Sequence, residues 1–195
     1  MTQTDKDIII ETHPWPPFIP EGARVLIMGT FPPGEHRWSM EFYYPNRTND
    51  FWYMMGLIFT GSREGLLRSG SRDFDLDAIK ALLTDKGIAL SDTGRKVRRL
   101  KGNASDKYLE ILEPAPLHEL LGKMPMCHTV ATTGEKAAGV VATLTSTEIP
   151  RMGCMVKSAS GLDIWRMPST SRAYPLALDK KAAHYATLFR SAGIL

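Results

Sequence analysis

Three short stretches of this chain concentrate residues able to handle a polar, aromatic or phosphorylated ligand. The first is Gly29-Thr30-Phe31-Pro32-Pro33-Gly34-Glu35-His36-Arg37. It is not a phosphate-cradling loop, which needs a lysine and a hydroxyl residue at its end, and it is not GxGxxG. Its proline pair makes a stiff loop with few backbone donors, suited to a pocket wall. The second is Phe42-Tyr43-Tyr44-Pro45-Asn46-Arg47-Thr48-Asn49-Asp50-Phe51-Trp52, where aromatic faces and two amides stand together. Asn49 is also placed to cap a helix begun by Phe51 and Trp52. The third is Met167-Pro168-Ser169-Thr170-Ser171-Arg172. A hydroxyl-rich loop ending in arginine can hold a distorted DNA backbone by hydrogen bonds and charge, or form an ST-turn leading to a last helix.

A fourth feature is electrostatic. Arg95, Lys96, Arg98, Arg99 and Lys101 place five positive charges in seven residues. Such a strip is either a solvated face or a phosphate-contacting one, because neutralising phosphates releases counterions and drives association. The net charge of +3 is compatible with DNA but does not demand it.

Four apolar runs read as buried strands: 24–29, 87–91, 129–134 and 162–167. Helical patterns lie around 50–60, 74–86, 105–121, 135–145 and 179–192; Leu76, Ile79, Leu82 and Leu83 illustrate the spacing. This alternation predicts an α/β fold, three layers α/β/α around a mainly parallel four-stranded sheet. Ligands of such sheets sit beyond the carboxyl ends of the strands, where the first and third stretches begin. Residues 1–23 are rich in proline and should run extended over the surface, pinned by Trp15, Phe18 and Ile19.

At 195 residues, 43% hydrophobic and 23% charged, the chain reads as one soluble domain spanning 1–195. No apolar run is long enough for a membrane span, and the first residues lack a signal-peptide layout, so a cytoplasmic protein is expected. Cys127 and Cys154, without a CxxC pair, are expected to be free and buried. The five histidines show no metal-ligand spacing.

Taken in order, the segments resemble the diagnostic motifs of the uracil-DNA glycosylase superfamily, especially its mismatch-specific and hypoxanthine-DNA glycosylase branches. The matching residues are Gly29-Thr30-Phe31-Pro32, Tyr43-Tyr44, Asn46 through Trp52, and Pro168 through Ser171. Segments 87–92 and 98–106 are also similar, and the resemblance covers roughly residues 24–190. It implies an enzyme that flips a deaminated base, uracil or hypoxanthine, out of DNA and hydrolyses its N-glycosidic bond. It implies no metal or organic cofactor, DNA as the partner, and a monomer.

Residue by residue, Asn49 matches the asparagine given a catalytic role in the hypoxanthine branch. Tyr44 matches the aromatic that stacks on the flipped base. Thr30, Phe31 and Thr133 would border that base, with the backbone N–H groups around Thr30 and Phe31 as donors to the departing charge. Pro168, Ser169, Thr170, Ser171 and Arg172 would grip the backbone, Arg172 bracing the vacated stack, and Arg98 and Arg99 would meet phosphates. Two positions depart from the pattern. Phe31 stands where the mismatch-specific enzymes keep a water-positioning asparagine. Thr133 stands where an asparagine usually reads the base, and its hydroxyl reaches less far than an amide. Glu35, His36, Asp50 and Asp92 are the carboxylates and imidazole available as a base. Two other readings stand beside this one: a DNA-binding module of the same fold with little or no glycosylase activity, and an unrelated doubly wound enzyme acting on a nucleotide or small phosphate ester.

Overall fold

The computed structural model describes residues 9–100 and 106–195. Its elements are β1 (Ile10–Thr12), β2 (Val25–Gly29), α1 (Phe51–Thr60), α2 (Leu76–Lys86), β3 (Ile88–Asp92), β4 (Gly94–Arg99), β5 (Leu109–Pro114), α3 (Leu117–Gly122), β6 (Thr129–Thr132), α4 (Glu135–Thr145), β7 (Cys154–Lys157), β8 (Asp163–Arg166) and α5 (Leu178–Ser191). The fold is mixed α/β, with a mainly parallel sheet in the order β3-β2-β6-β8-β7.

The four expected strands are β2, β3, β6 and β8, and each neighbouring pair among them is parallel. A fifth strand corrects the expected count of four. β7 runs antiparallel on the outer side of β8. Three of its four residues are exposed, so an edge strand like this carries no apolar run to announce it. Along β2, alternate side chains enter two cores, as the pleat requires. Val25 and Ile27 join residues of α1, α2 and α5, whereas Leu26 and Met28 join residues of α3 and α4.

A second correction concerns residues 105–121, read above as one helix. Residues 106–108 form a single 3-10 turn, β5 follows, and only Leu117–Gly122 is helical. The leucine spacing imitates a helical stripe, but Pro114 and Pro116 cannot donate the backbone bonds that a continuous helix needs. β5 instead pairs antiparallel with β4, and β4 with β1, making a separate three-stranded sheet.

The proline-rich segment does run extended, as its composition requires, and it also forms structure. Phe18 exchanges two 2.9 Å backbone bonds with Leu90, covering the free edge of β3. Trp15, Phe18 and Ile19 pack against the cores. Both cysteines are free; Cys127 is buried, but Cys154 is exposed on β7, contrary to expectation. Among the described residues no helix is long and apolar enough to cross a membrane.

Candidate active site

Parallel register lines up the carboxyl ends of the strands. Gly29 pairs with Asp92, Met28 with Thr132, and Thr132 with Arg166. Because β3 lies on one side of β2 and β6 on the other, the chain reverses direction across the sheet between β2 and β6. That is where an α/β sheet leaves a crevice. A cleft of about 720 Å³ opens there, lined by Thr30, Phe31, Tyr44, Asn49, Thr133 and Ser169 through Arg172, among others. Segments far apart in sequence therefore meet at one site.

Asn49 lies on the wall of this cleft. Its Oδ1 accepts the Phe51 backbone N–H at 2.9 Å, satisfying one of the orphan donors at the start of α1. That bond orients the amide, and its NH₂ finds no partner among the described residues. The α1 cap position itself is Asp50, so Asn49 holds the helix start from one residue earlier through this bond. The backbone of Asn49 also forms an isolated antiparallel bridge with that of Ser171.

Tyr44 holds a left-handed backbone conformation, φ 52°, which is costly for a bulky residue. One ring face is stacked on Phe51, with centroids 3.8 Å apart and planes at 15°. Its hydroxyl lies 3.3 Å from Thr133 Oγ1, and burial pushes the phenol well above its ordinary range. Thr30 donates to Asp106 Oδ2 at 2.8 Å. Burial raises the Asp106 carboxyl, and the Thr30 bond opposes that shift. Asp106 lies in the cleft wall without having stood out in the sequence.

The hydroxyl-rich loop is tied down by groups that gave little signal. Asp50 Oδ1 accepts from Arg172 Nε at 3.0 Å, and Oδ2 accepts from Lys181 Nζ at 2.9 Å. Lys181 Nζ also donates to the Ser171 carbonyl at 2.8 Å, and the Asp50 N–H donates to the Thr170 carbonyl at 2.8 Å. Lys181 is fully buried. Its only sequence trace is its register in α5, four residues before the buried Tyr185. Ser169 and Ser171 accept backbone N–H bonds two residues on, so the ST-turn reading holds for the loop. Arg172, also 5.2 Å from the Tyr53 ring, keeps its side chain 45% exposed. Thr170 is buried in the loop. Pro168 sits just outside the cleft, beside a smaller neighbouring cavity that it shares with Ser169.

The basic strip lies on β4 and does not line the cleft. Arg99 is bidentate on Glu11 at 2.7 and 3.2 Å, donates to the Pro32 carbonyl at 2.7 Å, and sits 5.6 Å from the Phe31 ring. It braces the first loop from behind. Arg98 faces Glu110 at 3.4 Å, and Lys96 faces Glu113 at 2.6 Å. Lys101 lies outside the described residues. Glu35 and His36 are exposed and are not among the residues lining the cleft, and Asp50 is committed to its two cations. Asp92 remains at the cleft wall.

Fold and cleft together define an α/β protein with a ligand crevice at the carboxyl edge of its parallel sheet. No protein-family model and no curated protein matches the chain. Among solved structures it is similar to the solution NMR structure of a protein from Methanosarcina acetivorans provisionally named a uracil DNA glycosylase. The TM-score is 0.68 at 20% identity, over 95% of this chain and 99% of that one. At that identity the likeness establishes the fold.

Proposed function

We propose that the chain is a monofunctional DNA glycosylase of the uracil-DNA glycosylase superfamily, in or near the hypoxanthine and mismatch-specific branch. It extrudes a deaminated base, uracil or hypoxanthine, and hydrolyses the bond to the sugar without a cofactor. One observation carries the reading: the three stretches singled out in the sequence converge on a single cleft at the carboxyl edge of the parallel sheet. The neighbour's fold supports it. The two helix groups are read as the outer layers of an α/β/α sandwich, in a cytoplasmic monomer.

In this reading the Tyr44 face opposite Phe51 receives the flipped base, with Phe51 stiffening the ring from behind. Thr133 and the Thr30–Phe31 backbone border the base. The Asn49 amide donates to the charge that builds on the departing base, a group fixed before reaction and therefore effective. Ser169, Thr170, Ser171 and the preceding Pro168 follow the DNA backbone, and Arg172 enters the space the base leaves. Arg98, one third exposed on β4, adds a phosphate contact outside the cleft. Arg99 is assigned to holding the Pro32 loop.

Excision from labelled duplexes carrying uracil, hypoxanthine or xanthine, followed by alkaline cleavage, tests the proposal. Strand cleavage at one of these bases is expected. A protein that binds duplex DNA yet cleaves none of them would be a binding module, the reading that Phe31 in the water-positioning place favours. A protein that ignores duplex DNA and binds free nucleotides would be neither.

A further inference from the structure

The Phe31 side chain has no atom that can hold water, so the attacking nucleophile needs a side-chain partner elsewhere. Near the cleft, Asp50 is neutralised by Arg172 and Lys181, and Asp106 on the cleft wall has Oδ2 accepting from Thr30. Asp92 differs. It ends β3 directly beside Gly29 at the end of β2, next to the loop that carries Phe31. A Cβ on Gly29 would stand 2.5 Å from Asp92 Oδ1 and 3.1 Å from the Tyr44 hydroxyl. The missing side chain of Gly29 therefore leaves room for Oδ1 at the cleft wall, close to the aromatic that receives the base. No described residue donates to Oδ1.

The other oxygen is held by the N-terminal arm. His13 Nε2 lies 2.9 Å from Asp92 Oδ2, and the His13 side chain is fully buried. The imidazole stacks on Tyr43 at 5.5 Å, meets Phe31 edge-on at 5.4 Å, and sets Nδ1 2.8 Å from the Trp15 carbonyl. The His13 backbone N–H donates to the Arg95 carbonyl at 2.8 Å. When Nδ1 accepts the Trp15 backbone N–H at 3.2 Å, Nε2 of the neutral ring carries the hydrogen and donates to the carboxylate at 2.9 Å. A proline-rich strap that only covered a sheet edge would not need a buried, doubly bonded histidine.

We propose that Asp92 takes the proton of the attacking water and that His13 is its positioning residue, so that the N-terminal arm completes the active site. This rests on the glycosylase reading. In the step, the water oxygen bonds to C1′ of the deoxyribose. The C1′–N bond breaks and its electron pair leaves on the base. The water proton passes to Asp92 Oδ1, the base anion takes a proton from solvent, and Asp92 returns its own proton to solvent after release.

The experiment compares wild type, Asp92→Asn and His13→Ala in single-turnover excision from uracil- and hypoxanthine-containing duplexes. Affinity for undamaged duplex and thermal unfolding are measured alongside. Asp92→Asn keeps the shape and the His13 contact, and should slow excision by about 10²- to 10⁴-fold, the range for losing a general base, with duplex affinity unchanged. His13→Ala should slow excision while binding holds, and added imidazole should restore part of the rate, which a purely structural loss would not allow. A folded Asp92→Asn protein excising at the wild-type rate overturns the proposal. So does a folded, slowed His13→Ala protein that imidazole does not rescue. Wild type inactive on every base removes the glycosylase reading and the proposal together, a result distinct from an active wild type with an equally active Asp92→Asn.

Discussion

Lys181→Met tests whether one buried ammonium holds two halves of the cleft together. Methionine keeps most of the length and apolar volume of the lysine but removes both its bonds, to Asp50 Oδ2 and to the Ser171 carbonyl. Asp50, with a side chain only 12% exposed, then keeps Arg172 as its one side-chain partner among the described residues, and that arginine is 45% exposed. Removing one member of a buried ion pair costs about 3–5 kcal/mol, mostly because the other charge is stranded. The remaining arginine puts the expected loss near the lower end, about 3 kcal/mol. For a chain of this size each kcal/mol moves the unfolding midpoint by about 2–4 °C, so the variant should melt about 6–12 °C lower. Calorimetry at fixed pH reads this directly. Asp50→Asn in the same background should recover part of the loss, because the stranded charge is gone, and the double-mutant cycle gives the coupling. Excision should fall at a temperature where the variant is folded, since the Ser171 loop has lost its anchor to α5. A midpoint within 2 °C of wild type (below about 1 kcal/mol), or a cycle with no coupling, would refute the assignment of Lys181 as the clamp.

Four further outcomes follow from the geometry. Asn49→Ala should lower single-turnover excision by about two to three orders of magnitude and stability by only about 1 kcal/mol, through the lost bond to Phe51; wild-type excision by the folded variant would leave Asn49 as a cap alone. Gly29→Ala forces a methyl group against Asp92 and should destabilise by about 1–3 kcal/mol while slowing excision, read by melting and single-turnover rates. Arg98→Glu should weaken binding to any duplex and reduce the salt slope by about one, whereas Arg99→Ala should mainly lower the melting point; an unchanged slope for Arg98→Glu would make its partner Glu110 rather than phosphate. The Asp106 carboxyl is raised in the folded state, so the native state holds its proton more tightly than the unfolded chain and its contribution to stability declines as pH rises from 3.8 through the folded value. Asp106→Asn should remove that decline in a series of melts from acid to neutral pH.

Residues whose roles are local were legible in the sequence. The apolar run from Val25 to Met28 marks a strand buried on both faces, because no polar side chain interrupts either side of the pleat. Three more such runs, spaced by helical patterns, dictate a parallel sheet, and a parallel sheet dictates where its ligand crevice opens. That reasoning pointed to the loops of Thr30 and Ser171, the family resemblance added Tyr44, Asn49 and Thr133, and the structure places all five along one cleft. The leucines of 105–121 show where it fails: a helical spacing survived on paper across two prolines that the backbone cannot accommodate in a helix.

What tertiary structure decided is which ordinary residues become partners. His13 meets Asp92 across 79 positions, and Asp50 meets Lys181 across 131. A lone histidine in a proline-rich arm or a lysine in a surface-patterned helix looks the same whether it faces water or a buried carboxylate. Its charge is tolerable inside only where the fold supplies the opposite one. The same holds for Arg99, whose place in a run of cations suggested phosphate until the fold brought Glu11 and the Pro32 carbonyl to it. Periodicity records which face of an element is buried, but long-range charge pairing leaves no period. Only the folded chain chooses those partners.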